Sequence, residues 1–156
     1  MRTHILKSVA IAAVVIVGAT SGAAADPEKA AKARRGYFQL LTFNVGALAA
    51  MAKGEADYDA AVATQAAAHL DALTAFDVAP LHPEGSDNEA LSGKTRAQPN
   101  IWSDFDGYVG KYQDLAAAVD ALNAQAGNGV DGVRQTIGKV GAACKSCHDE
   151  YRAKEF

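Results

Sequence analysis

Cysteine is nearly absent: 156 residues hold two. A multi-bridge disulfide framework is therefore excluded, and so is any zinc site built on two cysteine pairs. Basic residues are in slight deficit, with Lys and Arg totalling 15 against 18 Asp and Glu. The chain has no basic tail and no polybasic run, which argues against nucleic acid and against an anionic membrane surface as partners. No segment alternates apolar and polar residues convincingly enough to be read as a strand. Internal repeats are missing, and nothing is low in complexity beyond alanine-rich helix surfaces. No uninterrupted apolar run is long enough to span a bilayer as a mature helix.

What is present begins with an export pattern. Arg2, His4 and Lys7 precede an apolar run from Val9 to Val17, and small residues follow up to Ala23-Ala24-Ala25. Charge, apolar core and an A-x-A exit are the parts of a secretory signal peptide, so residues 1–25 read as a cleaved signal and 26–156 as one domain. Nothing near its end suggests a lipid anchor, and the expected product is a soluble exported protein starting at about Asp26. Removing Arg2 and Lys7 leaves 13 basic against 18 acidic residues, a net charge of −5.

Both cysteines lie in Cys144-Lys145-Ser146-Cys147-His148. C-x-x-C-H reads as a c-type haem attachment site. The two thiols suit thioether bonds to the haem vinyls, and the histidine is placed to give the iron an axial imidazole. A thioredoxin-like pair wants a βαβ setting that the pattern does not offer, and a plain disulfide leaves His148 without a task. His69 and His82 lie too far along the chain to complete a zinc site. Because c-type haem is attached outside the cytoplasm in bacteria, the motif and the signal together point to the periplasm.

Four segments carry a helical period. The first runs from about Pro27 to Met51, with a stripe of Ala30, Ala33, Tyr37, Leu41, Val45 and Leu48. The second, from about Asp57 to Phe76, shows Tyr58, Val62, Leu70, Leu73 and Phe76, with Asp57 as its expected N-cap. A third begins near Pro99 and Asn100 and carries Trp102, Phe105, Val109, Tyr112, Leu115, Val119 and Leu122 up to Gly127-Asn128-Gly129. The last, about Val130 to Lys154, places Val133, Ile137, Val140, Cys144, His148 and Tyr151 at helical spacing, so both sulfurs and the imidazole can face one haem plane. Gly138 and Gly141 ahead of the motif suggest a close approach by porphyrin or helix, or are simply tolerated. Between the second and third helices, Asp77–Pro99 is a long Pro- and Gly-punctuated loop, read either as a cover for one haem edge or as an idle excursion. The expected fold is all-α, an up-down-up-down antiparallel four-helix bundle with covalently bound haem.

A C-x-x-C-H near the C-terminus, continued by Asp149-Glu150-Tyr151-Arg152, resembles the end of cytochrome c′, a class II c-type cytochrome. Ala33-Arg34-Arg35-Gly36-Tyr37-Phe38 and Ile101-Trp102 match the same family, so the resemblance spans residues 26–156. It implies one haem c per chain and a five-coordinate iron with His148 as axial ligand. Phe38 would close the opposite, distal face. Arg34 would sit beside a haem propionate, its plain alternative being a solvated arginine; Thr95 and Arg96 would serve the second propionate. Arg152 would stand near the axial imidazole, or merely face the helix dipole. A homodimer through the first two helices is implied as well.

Relatives with a six-coordinate, low-spin iron carry a methionine near the position of Phe38. Beyond residue 25 the sequence has only Met51, thirteen residues on, or roughly 20 Å along a helix axis; it reads as core filler. His69 and His82 read as surface or hydrogen-bonded core histidines. The expected function is electron transfer and binding of small gases, nitric oxide and carbon monoxide, with a periplasmic redox partner that the sequence does not identify. The alternative is a six-coordinate low-spin electron carrier. Peroxidase-type enzyme chemistry is not expected, because no acid–base residue stands beside Phe38 except Arg34.

Overall fold

The computed structural model describes residues 25–156. The segment read as an export signal lies outside them but for Ala25. Among these residues five α-helices form: α1 Pro27–Lys53, α2 Ala60–Thr74, α3 Asn100–Ser103, α4 Phe105–Asn123 and α5 Val130–Tyr151. In α1 the Asp26 carboxylate accepts the Glu28 and Lys29 N–H groups at 2.9 and 3.1 Å, and Pro27 occupies the first turn, where its missing N–H costs nothing. The helix stops at Gly54, whose φ of 75° a side chain would resist. The N-cap of α2 is Asp59, not Asp57, and its carboxylate takes the Ala61 and Val62 N–H groups.

α1 packs on α2 and α5, and α4 packs on the same two. Each long helix thus lies beside its neighbours in the chain, the expected up-down-up-down bundle. Leu48, Leu70, Leu122, Val119, Val133 and Val140 fill the centre, almost without exposure. Complete burial of an aliphatic side chain of this size contributes about 1.5–3 kcal/mol. Three stripe assignments are corrected. Ala33 faces solvent and Arg34 takes the inward place. Val62 on α2 and Phe76 just beyond its end are 45% and 48% exposed while Ala63, Ala66 and Ala67 are buried, because small side chains let the neighbouring helices close in.

The expected third helix is two. Asp104, at φ −136° and ψ 52°, breaks it between α3 and α4. Its carboxylate Oδ2 accepts the Tyr151 hydroxyl at 2.5 Å, a bond that ties α4 to the helix carrying C-x-x-C-H. Gly107 makes room for it: a Cβ there would stand 2.6 Å from the Tyr151 hydroxyl oxygen and 2.3 Å from Asp104 Oδ2. Gly107→Ala is therefore expected to lower stability by about 1–3 kcal/mol in urea unfolding, although alanine is the better helix former. A variant at or above wild-type stability would show that the bond is dispensable. Gly138 and Gly141 behave differently, since a Cβ at either meets no protein atom within 4 Å.

The 77–99 loop is built, not idle. It holds a 3₁₀ turn at Ala79–Leu81 and buries Val78, His82, Ser86 and Thr95. At its far end an antiparallel bridge joins Ala97 to Arg152, with the Ala153 N–H on the Arg96 carbonyl and the Gln98 N–H on the Tyr151 carbonyl.

Candidate functional site

A cavity of about 510 Å³ opens between α1, α4, α5 and the 77–99 loop. Cys144, Cys147 and His148 line one wall, on successive turns of α5, and Phe38 of α1 lines it too. Arg34, Thr95, Arg96 and Arg152 also line it, so the structure gathers every residue to which the sequence gave a haem role. Met51 and His69 lie elsewhere. Met51 is buried core, and His69 is exposed with its Nδ1 3.2 Å from Asn44 Oδ1.

The electrostatics of the wall narrow the chemistry. Arg34, Arg35, Arg96, Lys111 and Arg152 line the cavity, and no aspartate or glutamate does. In a chain with more acids than bases, a carboxylate-free, cation-rimmed and otherwise apolar cavity suits a large apolar group carrying negative charge. Burial raises both thiols, Cys144 upward and Cys147 to about 11, where the neighbouring Cys144 adds to the effect. A dithiol redox pair needs the opposite, a lowered thiol pKa. His148 is shifted down, first by desolvation and then by Arg152 and Arg96, against Asp149. A lowered imidazole is neutral near pH 7, the form that ligates a metal. Among the described residues no cluster of His, Cys, Asp and Glu could hold a metal ion by itself.

Phe38 is held from behind. Its ring meets Tyr37 edge to face, centroids 5.2 Å apart and planes at 74°, and Tyr37 is pinned by its hydroxyl on the Leu73 carbonyl at 2.9 Å. Two lining hydroxyls are already spent, Thr42 on the Phe38 carbonyl and Tyr112 on that of Leu73. Gln39 also lines the cavity and brings a carboxamide that sequence reasoning had not placed there.

Arg34 has a task the sequence did not reveal. It is 4% exposed, and its Nη1 donates to the Leu81 carbonyl at 2.8 Å and Ser86 Oγ at 3.1 Å, while Nη2 donates to the Ser86 carbonyl at 2.6 Å and Thr95 Oγ1 at 3.0 Å. Both terminal nitrogens are thus committed to the loop, leaving Nε, of the roughly five N–H donors of a guanidinium, for a propionate. The solvated alternative is excluded by this burial. Thr95 is likewise turned toward Arg34, and Arg96 Nε donates to the Ala153 carbonyl at 2.8 Å. Arg35 and Lys111, unremarked in the sequence, join the rim; Lys111 donates to Ser146 inside the motif at 3.0 Å and pairs with Glu150 at 3.7 Å.

Fold and site define a helical bundle whose last helix offers two thiols and a neutral imidazole to a porphyrin-sized, anionic guest. A family model for cytochrome c′ matches residues 29–152. A cytochrome c′ of Cereibacter sphaeroides is 41% identical over 149 residues, covering 96% of this chain and 99% of its own. Solved structures agree. Cytochrome c′ from Rhodobacter Spheriodes superposes with a TM-score of 0.81 at 44% identity, over 84% of this chain and all of its own. A nitric oxide complex of a variant cytochrome c prime from Alcaligenes xylosoxidans gives 0.71 at 35% identity, over 83% and 98%. A cytochrome c′ with ligand-controlled dimer dissociation gives 0.75 at 29%, over 83% and 98%. The chain belongs to the cytochrome c′ family, and c-type haem is the cofactor that this membership implies.

Proposed function

We propose that this chain is a periplasmic, non-enzymatic haem protein that carries one haem c, exchanges single electrons and binds nitric oxide and carbon monoxide. The observation that carries the reading is the asymmetry of the cavity: Cys144, Cys147 and His148 on the α5 wall, and the apolar Phe38 contributed by α1. Cys144 and Cys147 would hold the haem covalently, and His148 would be its one protein ligand on the iron. When bound, the haem would supply a redox-active iron able to take a gas ligand. The protein's part is to present a neutral imidazole, to place the cationic rim against the propionates and to screen the distal side with Phe38.

Several features support exclusion of a second protein ligand. Met51 is locked in the core, and His69 is exposed outside the cavity with its Nδ1 3.2 Å from Asn44 Oδ1. The purified protein should therefore show a high-spin or spin-admixed ferric haem in absorption and resonance Raman spectra. A low-spin, six-coordinate ferrous spectrum would establish the electron-carrier alternative instead. No helix among the described residues is long and apolar enough to cross a membrane. Periplasmic residence rests on the signal-like residues 1–25 and is tested by fractionating the expressing cells.

A homodimer through α1 and α2 belongs to the same reading. Leu40, Phe43, Val62 and Phe76 are exposed on or just beyond these helices, Phe43 by 76%. Scattered on one molecule they would be unremarkable, but three on two adjacent helices and a fourth just past the second suit an apolar interface. Sedimentation at micromolar concentration should give a dimer, and Phe43→Asp should shift it at least tenfold toward monomer. A wild-type monomer under those conditions would remove the dimer.

A further inference from the structure

His82 is a buried titratable side chain that the haem reading leaves without a task. It is 7% exposed and lines the cavity. Its imidazole is caged by Trp102, Phe105 and Tyr108, with centroids 6.0, 6.0 and 4.9 Å away. Nδ1 donates to the Val78 carbonyl at 2.9 Å, which fixes the proton on that nitrogen and leaves Nε2 as an acceptor. Nε2 is buried and has no partner in the protein. Folded proteins seldom leave such a nitrogen unpaired, so a partner is expected from a group the cavity takes in, a donor to the neutral ring or an acceptor for the protonated one.

The surroundings say what kind of group. Arg34 of α1 holds the carbonyl of the preceding residue, Leu81, and lies 5.8 Å over the Trp102 ring, whose Nε1–H donates to the His82 carbonyl. His82 therefore shares a wall with the arginine whose Nε remains free for a propionate. Its titratable and charged neighbours are Arg34 from α1, Tyr108 from α4 and, behind Tyr108, Tyr151 from α5, whose hydroxyl is on Asp104. Asp87 of the loop acts on Arg34, opposing its desolvation. No protein carboxylate among these faces Nε2.

We propose that His82 Nε2 faces a haem propionate and takes up a proton when the iron is reduced, becoming a hydrogen-bond donor to that carboxylate. The inference rests on the haem reading above. Burial, with the Arg34 charge assisting and the Val78 bond opposing, holds the imidazole near 4 in the protein alone, so it is neutral at pH 7. A propionate brings compensating negative charge, which raises its proton affinity. Reduction adds one electron from a redox donor to ferric iron, and a proton from solvent binds Nε2, which becomes an N–H donor to the carboxylate. Charge is thereby conserved: one electron and one proton enter together, and no covalent bond but Nε2–H forms.

The reduction potential of the holoprotein, measured spectroelectrochemically from pH 5 to 8, tests this. We expect about tenfold tighter proton binding in the ferrous state, a fall of ~59 mV across the range. In His82→Phe, which keeps an aromatic ring in the cage, that fall should vanish. A fall unchanged in His82→Phe assigns it to another group and overturns the proposal. Should His82→Phe not mature, ¹⁵N-histidine spectra of the diamagnetic ferrous carbon monoxide form decide. Titration of Nε2 near neutrality supports the assignment, and an unprotonated Nε2 down to pH 5 refutes it. Protein purified without haem absorbance sinks the haem reading and this inference with it, whereas intact haem with a His82-independent potential sinks the inference alone.

Discussion

Phe38→Ala should bind carbon monoxide at least tenfold faster in the ferrous state. On the family reading, the Phe38 ring covers the distal side of the iron, and Tyr37 braces it edge to face at 5.2 Å. Tyr37 in turn cannot yield freely, because its hydroxyl is on the Leu73 carbonyl and it packs on Phe76 and Tyr112. A gas arriving on this side must first displace the ring, and the fraction of molecules with the ring displaced multiplies the apparent affinity. Truncation to alanine removes the displacement step while leaving Cys144, Cys147 and His148 as they are. Tenfold corresponds to ~1.4 kcal/mol of barrier, a modest share of what packing an aromatic ring contributes. Flash photolysis or stopped flow would measure it. An association rate within about twofold of wild type, only ~0.4 kcal/mol, would mean that Phe38 does not cover the iron.

The sequence disclosed the site more fully than the fold around it. Cys144, Cys147 and His148 are legible because the chemistry fixes their spacing, and helical periodicity then puts them on one face. Arg34 and Phe38, four residues apart, came from resemblance, and both reach the cavity. What the pattern concealed was long-range. Nothing local marks Asp104 as a break, since its conformation answers to the Tyr151 hydroxyl 47 residues away. The α2 stripe misled for a related reason: Val62 is the more apolar residue, but the space left between α1, α2 and α4 fits Ala63 and Ala67, both fully buried. A loop of Pro, Gly and Ser gave no hint that Ser86 would be 0% exposed, because the partner that makes its burial tolerable, Arg34, sits 52 residues earlier.

That partnership carries the second large effect: Arg34→Met should cost about 3 kcal/mol of stability and open the 77–99 loop to proteases. The methionine keeps an unbranched apolar stem but removes all four donors to Leu81, Ser86 and Thr95. Hydrogen bonds from a charged donor contribute roughly 1.5–3 kcal/mol each, and acceptors left buried and unpaired add a penalty. Part of the loss is offset, since the guanidinium no longer has to be desolvated, a cost visible in its downshifted pKa. Arg34→Lys should recover little, because one ammonium cannot serve acceptors that the planar fork reaches from two nitrogens. Urea unfolding of the holoprotein measures the global loss, and limited proteolysis shows whether the loop opens first. A loss below ~1 kcal/mol with an intact loop would mean that in the holoprotein the guanidinium has turned from the loop to a propionate. The loop would then be held by other ties, among them the Ala97–Arg152 bridge and the Trp102 bond to the His82 carbonyl.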